Sequence, residues 1–98
     1  MNQHTGRVAI VTGGGRGLGR AMVLGLARAG AYVVATAARE HAEVEVVAQE
    51  AEQSCGEARV LAVLADVTQE SDCAQVIETA VRRFGRLDIL VNNAGTSR

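Results

Sequence analysis

A glycine-rich segment near the amino terminus holds the residues whose spacing is best suited to chemistry. Residues 12–19 read T-G-G-G-R-G-L-G and directly follow a short apolar run. Because glycine has no Cβ atom, such a segment can turn sharply and present backbone N–H groups to an anion. Gly13 would allow the turn, Gly17 would let a pyrophosphate approach, and Gly19 would let the next helix pack closely on the strand. The segment predicts a phosphate-binding turn that leads into the amino terminus of a helix.

The same turn contains one charged side chain. Arg16 lies in the middle of the glycine segment, and its planar guanidinium group matches the geometry of a phosphate. We expect the backbone and side chains of this segment to contact a nucleotide. The candidate cofactor-binding residues of the turn are Gly13, Gly15, Arg16, Gly17, Leu18 and Gly19.

The composition excludes several other kinds of site. All ten basic residues are arginine. The chain therefore holds neither the lysine of a Walker-type phosphate loop nor the amine of a Schiff-base enzyme. Cys55 and Cys73 lack the C-x-x-C spacing of a zinc site, and they are interpreted as reduced, structural thiols. We expect no metal site.

The rest of the sequence alternates apolar runs with amphipathic segments. Strands are expected at residues 7–12, 32–36, 59–64 and 88–92, where mainly apolar residues run without polar alternation, as in parallel strands buried on both faces. Apolar residues recur at helical spacing between these runs. The order βαβαβαβ predicts an α/β fold, namely the first half of a Rossmann-type doubly wound parallel sheet, with helices on both faces and the fourth strand beside the first.

The helix boundaries can also be predicted from single residues. The first helix is expected to begin near Leu18, whose side chain heads its apolar face, and to stop at Gly30. The third helix is expected to be capped by Thr68, to pack Ile77 on the sheet and to stop at Gly85.

Length, charge and aromatic content limit the partners of the chain. With 98 residues, 48% of them hydrophobic, and a net charge of −1, the chain is expected to form one small soluble unit. The 2% aromatic content and the balanced charge argue against nucleic-acid binding. No apolar run is long enough to span a bilayer, and the first residues lack the apolar core of a signal peptide. We expect a cytoplasmic protein without a membrane partner.

Three motifs occur in order along these elements. T-G-x-x-x-G-x-G forms the first turn, Asp66-Val67 follows the third strand, and N-N-A-G occupies residues 92–95. In these motifs the chain resembles the short-chain dehydrogenase/reductase family, and it is similar to members of the 3-oxoacyl-[acyl-carrier-protein] reductase type. The resemblance implies hydride transfer between a nicotinamide cofactor and a carbonyl or alcohol substrate.

The resemblance also implies roles for residues outside the glycine turn. Asp66 would accept a hydrogen bond from the adenine amino group, and Val67 would line the adenine pocket. Asn93 and the backbone of Ala94 and Gly95 would flank the cofactor ribose. Asn92 would instead tie the fourth strand into the sheet.

The choice between NADP and NAD depends on the residues after the second strand. A carboxylate there would hold the 2′-hydroxyl of NAD and repel the 2′-phosphate of NADP. By resemblance this position falls on Ala37, and Ala38 and Arg39 follow it. Arg16 and Arg39 together favour NADP, with Ala38 and Arg39 as further candidate cofactor residues. The alternative is that Glu40 takes the ribose, which would favour NAD.

The resemblance implies a catalytic serine and a Tyr-x-x-x-Lys pair further along the chain than these motifs, and the sequence contains no Tyr-x-x-x-Lys pair because it has no lysine. No residue is therefore given a catalytic role. Residues 1–98 are expected to form the N-terminal, cofactor-binding part of a single NAD(P)-binding Rossmann domain, with the catalytic half absent and no activity alone. The complete protein would act on a small carbonyl or alcohol substrate and form a homo-oligomer.

Three alternatives remain open. The chain could be a stand-alone nucleotide-binding module without catalysis, or a fragment that does not fold unaided. A methyltransferase also uses a glycine turn after its first strand, but it usually needs an acid at the end of the second strand, where this chain has Ala37.

Overall fold

The computed structural model describes residues 5–39 and 41–93. Seven elements follow one another in the expected βαβαβαβ order. They are β1 (Val8–Thr12), α1 (Gly17–Arg28), β2 (Tyr32–Ala37), α2 (His41–Cys55), β3 (Val60–Leu64), α3 (Glu70–Phe84) and β4 (Ile89–Asn92). None of the helices in the described ranges has the length and apolar character that crossing a membrane requires.

The four strands form one parallel sheet in the order β3-β2-β1-β4. Ile10 of β1 is in register with Val34 of β2 on one side and with Leu90 of β4 on the other. The order reverses at β1, because the chain moves from β1 to β2 and β3 in one direction and then returns to β4. The predicted parallel half-sheet is confirmed, and its switch point lies at the carboxyl end of β1.

Each face of the sheet carries its own apolar layer. Val11, Val33 and Ala35 point to the face covered by α1 and α2. Val8 and Ile10 point to the other face, which α3 covers through Val76 and Ala80. All five residues of β1 are buried, as the lack of polar alternation in its sequence predicts.

Two expected helix residues are exposed instead of packed. The side chain of Leu18 at the start of α1 is 65% exposed, and Ile77 of α3 is also exposed. The prediction that they belong to the apolar faces was wrong, because the described core needs only Val23, Leu24 and Ala27 of α1 and the two buried residues of α3. Helical spacing sets the angle of a side chain around its helix, but not how far the neighbouring sheet extends beneath it.

The predicted cap of α3 was also wrong. The residue before the helix is Gln69, which makes no capping hydrogen bond through its side chain. The hydroxyl of Thr68 donates instead to Asp66 Oδ1, at 2.6 Å. The Thr68 hydroxyl therefore bonds within a local turn instead of capping α3. Threonine hydroxyls commonly form such local bonds in place of a helix cap. The predicted helix stop at Gly85 is confirmed, because this residue adopts a φ of 90°.

Asp88 joins the start of β1 to the segment that precedes β4. Its Oδ2 accepts the Val8 N–H at 2.9 Å, and its Oδ1 accepts Arg86 Nη2 at 2.7 Å. The hydrogen bond from Arg86, followed by that from the Val8 N–H, holds the pKa of the Asp88 carboxyl below its usual value. A carboxylate with a lowered folded-state pKa stabilises the fold above its unfolded pKa of about 3.9, and this contribution is lost as pH falls through the folded-state pKa.

We therefore expect Asp88→Asn to lower the urea midpoint of unfolding at pH 7. The difference from wild type should begin to shrink below about pH 3.9, where the carboxyl of the unfolded chain becomes protonated, and should be lost as pH falls through the lower folded-state pKa. Urea titrations at pH 7 and in acid check this. Glu78→Gln is the matched control, because the one ion pair of Glu78 with another described residue is its exposed contact with Arg82, so its loss should change stability little. A difference between Asp88→Asn and wild type that does not vary with pH would contradict the prediction.

Candidate nucleotide site

The glycine turn has the backbone geometry that its sequence predicts. Gly13 and Gly17 have φ angles of 68° and 59°, a region that residues with a Cβ seldom adopt. A Cβ atom on Gly19 would overlap the carbonyl oxygen of Gly13 and lie 2.7 Å from Asn93 Nδ2. A Cβ atom on Gly17 would meet nothing within 4 Å. Gly19 therefore keeps α1 against the turn, and Gly17 faces open space.

Gly14 is a part of the turn that sequence reasoning missed. A Cβ atom there would lie 3.0 Å from both Ala35 Cβ and Val23 Cγ2, so the turn packs tightly between β2 and α1. The Gly14 N–H donates to the carbonyl of Thr36 at 3.1 Å. These contacts hold the turn at the carboxyl end of the sheet. The only signal in the sequence was its place in the middle of three consecutive glycines, which does not reveal its neighbours.

The amino terminus of α1 is open to an anion. Arg16 precedes the helix in an extended conformation, and its side chain makes no capping hydrogen bond. The first turn of α1 contains no acidic residue. The first N–H groups of a helix have no partners within the helix and carry partial positive charge. Leu18 lies exposed beside them.

Hydrogen bonds connect the glycine turn to the end of β4. The Asn93 N–H donates to Thr12 Oγ1 at 2.8 Å, and Asn93 Nδ2 donates to the Gly13 carbonyl at 3.1 Å. Thr12 Oγ1 also lies 3.2 Å from Asn92 Oδ1. Asn92 was predicted to tie β4 into the sheet, and Asn93 contributes to this connection as well. Ala94 and Gly95, which were predicted to flank the ribose, lie outside the described residues.

Thr12→Val should weaken this connection while preserving the side-chain shape. Thr12 is buried, and the substitution leaves the Asn93 N–H without its hydroxyl acceptor. We expect a loss of about 1–2 kcal/mol in the free energy of unfolding. Urea titration followed by far-UV CD measures it. Thr79→Val is the control, because Thr79 donates only to the Gln75 carbonyl of its own helix and should change stability by no more than about 0.5 kcal/mol. Equal losses of stability in both variants would contradict the role of Thr12 in connecting the glycine turn to β4.

The turn after β3 presents Asp66. Its Oδ1 accepts both the hydroxyl and the N–H of Thr68, at 2.6 and 3.0 Å. The two Thr68 bonds, aided by the charge of Arg39, lower the pKa of the Asp66 carboxyl, so this group is ionised at neutral pH. No described residue donates to its other oxygen, Oδ2. A fixed, charged acceptor with one oxygen available suits an amino group of a ligand.

The backbone of the same turn is held by α3. The Asp66 N–H donates to Asp72 Oδ2 at 2.8 Å. The thiol of Cys73 lies 3.0 Å from the carbonyl oxygen of Val67. These bonds fix the positions of both residues that the resemblance assigns to adenine. Sequence reasoning missed the role of Asp72, which reads only as an acid in the first turn of a helix.

Two clefts join these parts at the carboxyl edge of the sheet. One of about 260 Å³ runs past the ends of β1, β2, β3 and β4, and its lining includes Gly13, Ala38, Asp66, Val67 and Asn92. The other, of about 320 Å³, is lined by Arg16, Ala37, Ala38, Arg39 and Glu43. Their sizes approach the range of small-molecule sites. Glu43 was not predicted, and Glu40 lies outside the described residues.

Within residues 5–39 and 41–93, no three histidine, cysteine or acidic side chains are grouped so that they could hold a metal ion. The two cysteines in these ranges are free thiols.

Comparison with known proteins connects this geometry to a family. The family model described as short chain dehydrogenase matches residues 7–98. A 3-oxoacyl-[acyl-carrier-protein] reductase from Synechocystis sp. is 41% identical over 98 residues, which cover 100% of this chain and 39% of that protein. The short-chain dehydrogenase/reductase homolog YusS from Bacillus subtilis is 39% identical over 92 residues, which cover 94% of this chain and 83% of that protein.

A solved structure shares the fold closely. A Serratia marcescens short-chain dehydrogenase/reductase mutant superposes with a TM-score of 0.86 at 45% identity, over 96% of this chain and 38% of that one.

A second solved structure contains a cofactor. The 3-ketoacyl-(acyl-carrier-protein) reductase of Brucella melitensis, complexed with NADH, has a TM-score of 0.77 at 40% identity, over 88% of this chain and 33% of that one.

The chain spans about 40% of the length of the Synechocystis reductase. The family resemblance seen in the three motifs is confirmed, and the chain belongs to the short-chain dehydrogenase family.

Proposed function

We propose that the chain supplies the cofactor-binding part of an NADP-preferring oxidoreductase that interconverts a small carbonyl compound and an alcohol. One observation carries the proposal. An uncapped helix amino terminus, a glycine turn with open space at Gly17, and the fixed acceptor Asp66 meet at one edge of the sheet. The first two suit a pyrophosphate, and the third suits the adenine amino group.

Each part of the nucleotide has a place in this arrangement. The N–H groups at the start of α1 would bind the pyrophosphate, and Asp66 and Val67 would hold the adenine. Asn93, with Ala94 and Gly95, would flank a ribose. When bound, the cofactor would exchange a hydride with the substrate carbon. The residues of this chain would hold and orient the nucleotide without taking part in proton transfer.

The preference for NADP is supported by the cleft beyond β2. Arg16 and Arg39 line it, and the position where NAD-dependent members of the family carry an acid is Ala37. Guanidinium groups bind the extra phosphate of NADP, whereas NAD presents only a hydroxyl there. The relative from Brucella is complexed with NADH, so that relative accepts the unphosphorylated cofactor.

Residues 1–98 would act as one structural unit. They would form the first part of a Rossmann domain that is inactive without a serine and a Tyr-x-x-x-Lys pair, acts in the cytoplasm and assembles into homo-oligomers when complete. Titration of the 98-residue chain with NADPH and NADH, following nucleotide fluorescence and far-UV CD together, tests whether the chain binds the cofactor. Saturable binding of NADPH by a folded chain supports the proposal, and a folded chain that binds neither cofactor contradicts it.

Arg16→Ala is expected to weaken NADPH binding about tenfold and NADH binding much less, because only NADPH offers the 2′-phosphate. The two dissociation constants of variant and wild type measure the effect. Arg28→Ala is a matched control, since Arg28 lies at the far end of α1 and donates to Ser54. Equal losses of both cofactors in Arg16→Ala would contradict an interaction with the 2′-phosphate.

A second candidate function is a stand-alone nucleotide-binding module without catalysis. The similarity to YusS, of which the matched region covers 83%, favours it, because that relative is itself little longer than the matched region. Sequencing the gene beyond the codon for Arg98 separates the two functions. An in-frame serine and Tyr-x-x-x-Lys pair would support the oxidoreductase, and a stop codon would support the module.

A further inference from the structure

The charges in the cleft beyond β2 do not all favour a phosphate. Glu43, in the first turn of α2, shares this cleft with Arg16 and Arg39. Its Oε1 lies 4.0 Å from Arg16 Nε, and the side chains of Arg16 and Glu43 are 83% and 38% exposed. The described cleft thus contains two positive charges and one negative charge, and the negative charge is next to the arginine that lies in the glycine turn.

The position of Glu43 is fixed by packing. A Cβ atom on Gly15 would lie 2.8 Å from Glu43 Cβ and 3.4 Å from Glu43 Oε1. The first turn of α2 therefore rests directly against the glycine turn, and only glycine at position 15 leaves room for it. A phosphate bound by Arg16 would lie a few ångströms from the Glu43 carboxylate.

Relying on the proposed function, we infer that Glu43 is a specificity-determining residue that limits the preference for NADP. Its carboxylate neutralises Arg16 in the free chain and repels a 2′-phosphate in the bound one. A 2′-hydroxyl carries no charge and is not repelled. The affinity for NADP is therefore lower than two arginines alone would produce, while the affinity for NAD is unaffected.

The size of the effect follows from the charges. A phosphate carries about −1.5 to −2 charges at neutral pH, and its repulsion by a carboxylate about 6 Å away in water corresponds to roughly two- to fourfold in affinity after screening by salt. Glu43→Gln removes this repulsion and keeps the shape of the side chain.

The test uses 2′,5′-ADP and 5′-AMP as probes, which differ only in the 2′-phosphate. Binding to the 98-residue chain is followed by amide chemical shifts, which detect weak complexes. Glu43→Gln should bind 2′,5′-ADP about two- to fourfold more tightly and leave the affinity for 5′-AMP unchanged. Glu52→Gln is the matched control, since it makes the same change in net charge nine residues further along α2, about 13 Å away. It should leave both affinities unchanged.

A double variant tests whether Glu43 acts partly through Arg16. In an Arg16→Ala background, the gain from Glu43→Gln should become smaller, because the two side chains are in contact. If Glu43→Gln left the ratio of the affinities for the two probes unchanged, or if Glu52→Gln gave an equal gain, the inference about Glu43 would be overturned. The proposed nucleotide site would still stand. If neither probe shifts any amide of the folded wild-type chain, the proposed nucleotide site fails as well.

Discussion

Gly19→Ala is expected to lower the free energy of unfolding by about 3 kcal/mol or more and to abolish nucleotide binding. The new Cβ atom would overlap the Gly13 carbonyl, which is backbone and has no rotamer to move into. Either α1 moves away from β1 or the glycine turn is distorted, and both changes disrupt the proposed pyrophosphate site. A loss of this size is a large share of the total for a small domain.

Gly25→Ala is the matched control for this prediction. Gly25 lies in the same helix, and a Cβ atom there would meet nothing within 4 Å. Alanine should therefore stabilise α1 by up to about 1 kcal/mol. Urea titration of both variants, with nucleotide fluorescence, measures the contrast. If Gly19→Ala were as stable as wild type, close packing of α1 on the turn could not be the reason for glycine at this position.

The 98-residue chain is also expected to self-associate through β4. Leu90 is 58% exposed, and it lies on the α3 side of the sheet, in register with Ile10. Ile77 and Val81 of α3 are exposed as well. In the described sheet β4 pairs only with β1, so its other edge is an open template for another chain.

Leu90→Lys should shift this equilibrium strongly toward monomer. Burying one large apolar side chain contributes about 1.5–3 kcal/mol, so the association constant should fall by roughly one to two orders of magnitude. Sedimentation velocity over a range of concentrations measures it. Val46→Lys is the control, because Val46 is 54% exposed but lies on α2. A wild-type chain that is monodisperse, monomeric and cooperatively unfolding would contradict self-association.

The order of the elements could be predicted from the sequence because it depends on local patterns. Buried strands and amphipathic helices differ in their spacing of apolar residues, and glycines mark their ends. The parallel half-sheet then follows from handedness. The positive φ of Gly13 was predictable for the same reason, since a sharp turn from a buried strand requires it, whereas Gly17 was predicted only to leave room for a pyrophosphate.

Contacts between distant segments could not be predicted in this way. Asn93 reaches Gly13 across 80 residues, and Glu43 meets Arg16 only because α2 packs on the glycine turn. Neither pairing leaves a periodic signal in the sequence. Thr68 has the residue type of a helix cap, and only the geometry of the turn determines that its hydroxyl bonds to Asp66 instead.

The bonds between β1 and β4 also set the order in which the molecule can be completed during synthesis. Strand β1 pairs with β2, which follows about 24 residues later, whereas the Val8–Asp88 and Gly13–Asn93 bonds span 80 residues. At translation rates of 5–20 residues per second, these partners emerge from the ribosome roughly 4 to 16 s after β1. A growing chain can thus form its first strand pair and still have a glycine turn without its Asn93 partner. A nucleotide that requires the completed turn would be captured only after β4 arrives, and it would stabilise the fold only from that step onward.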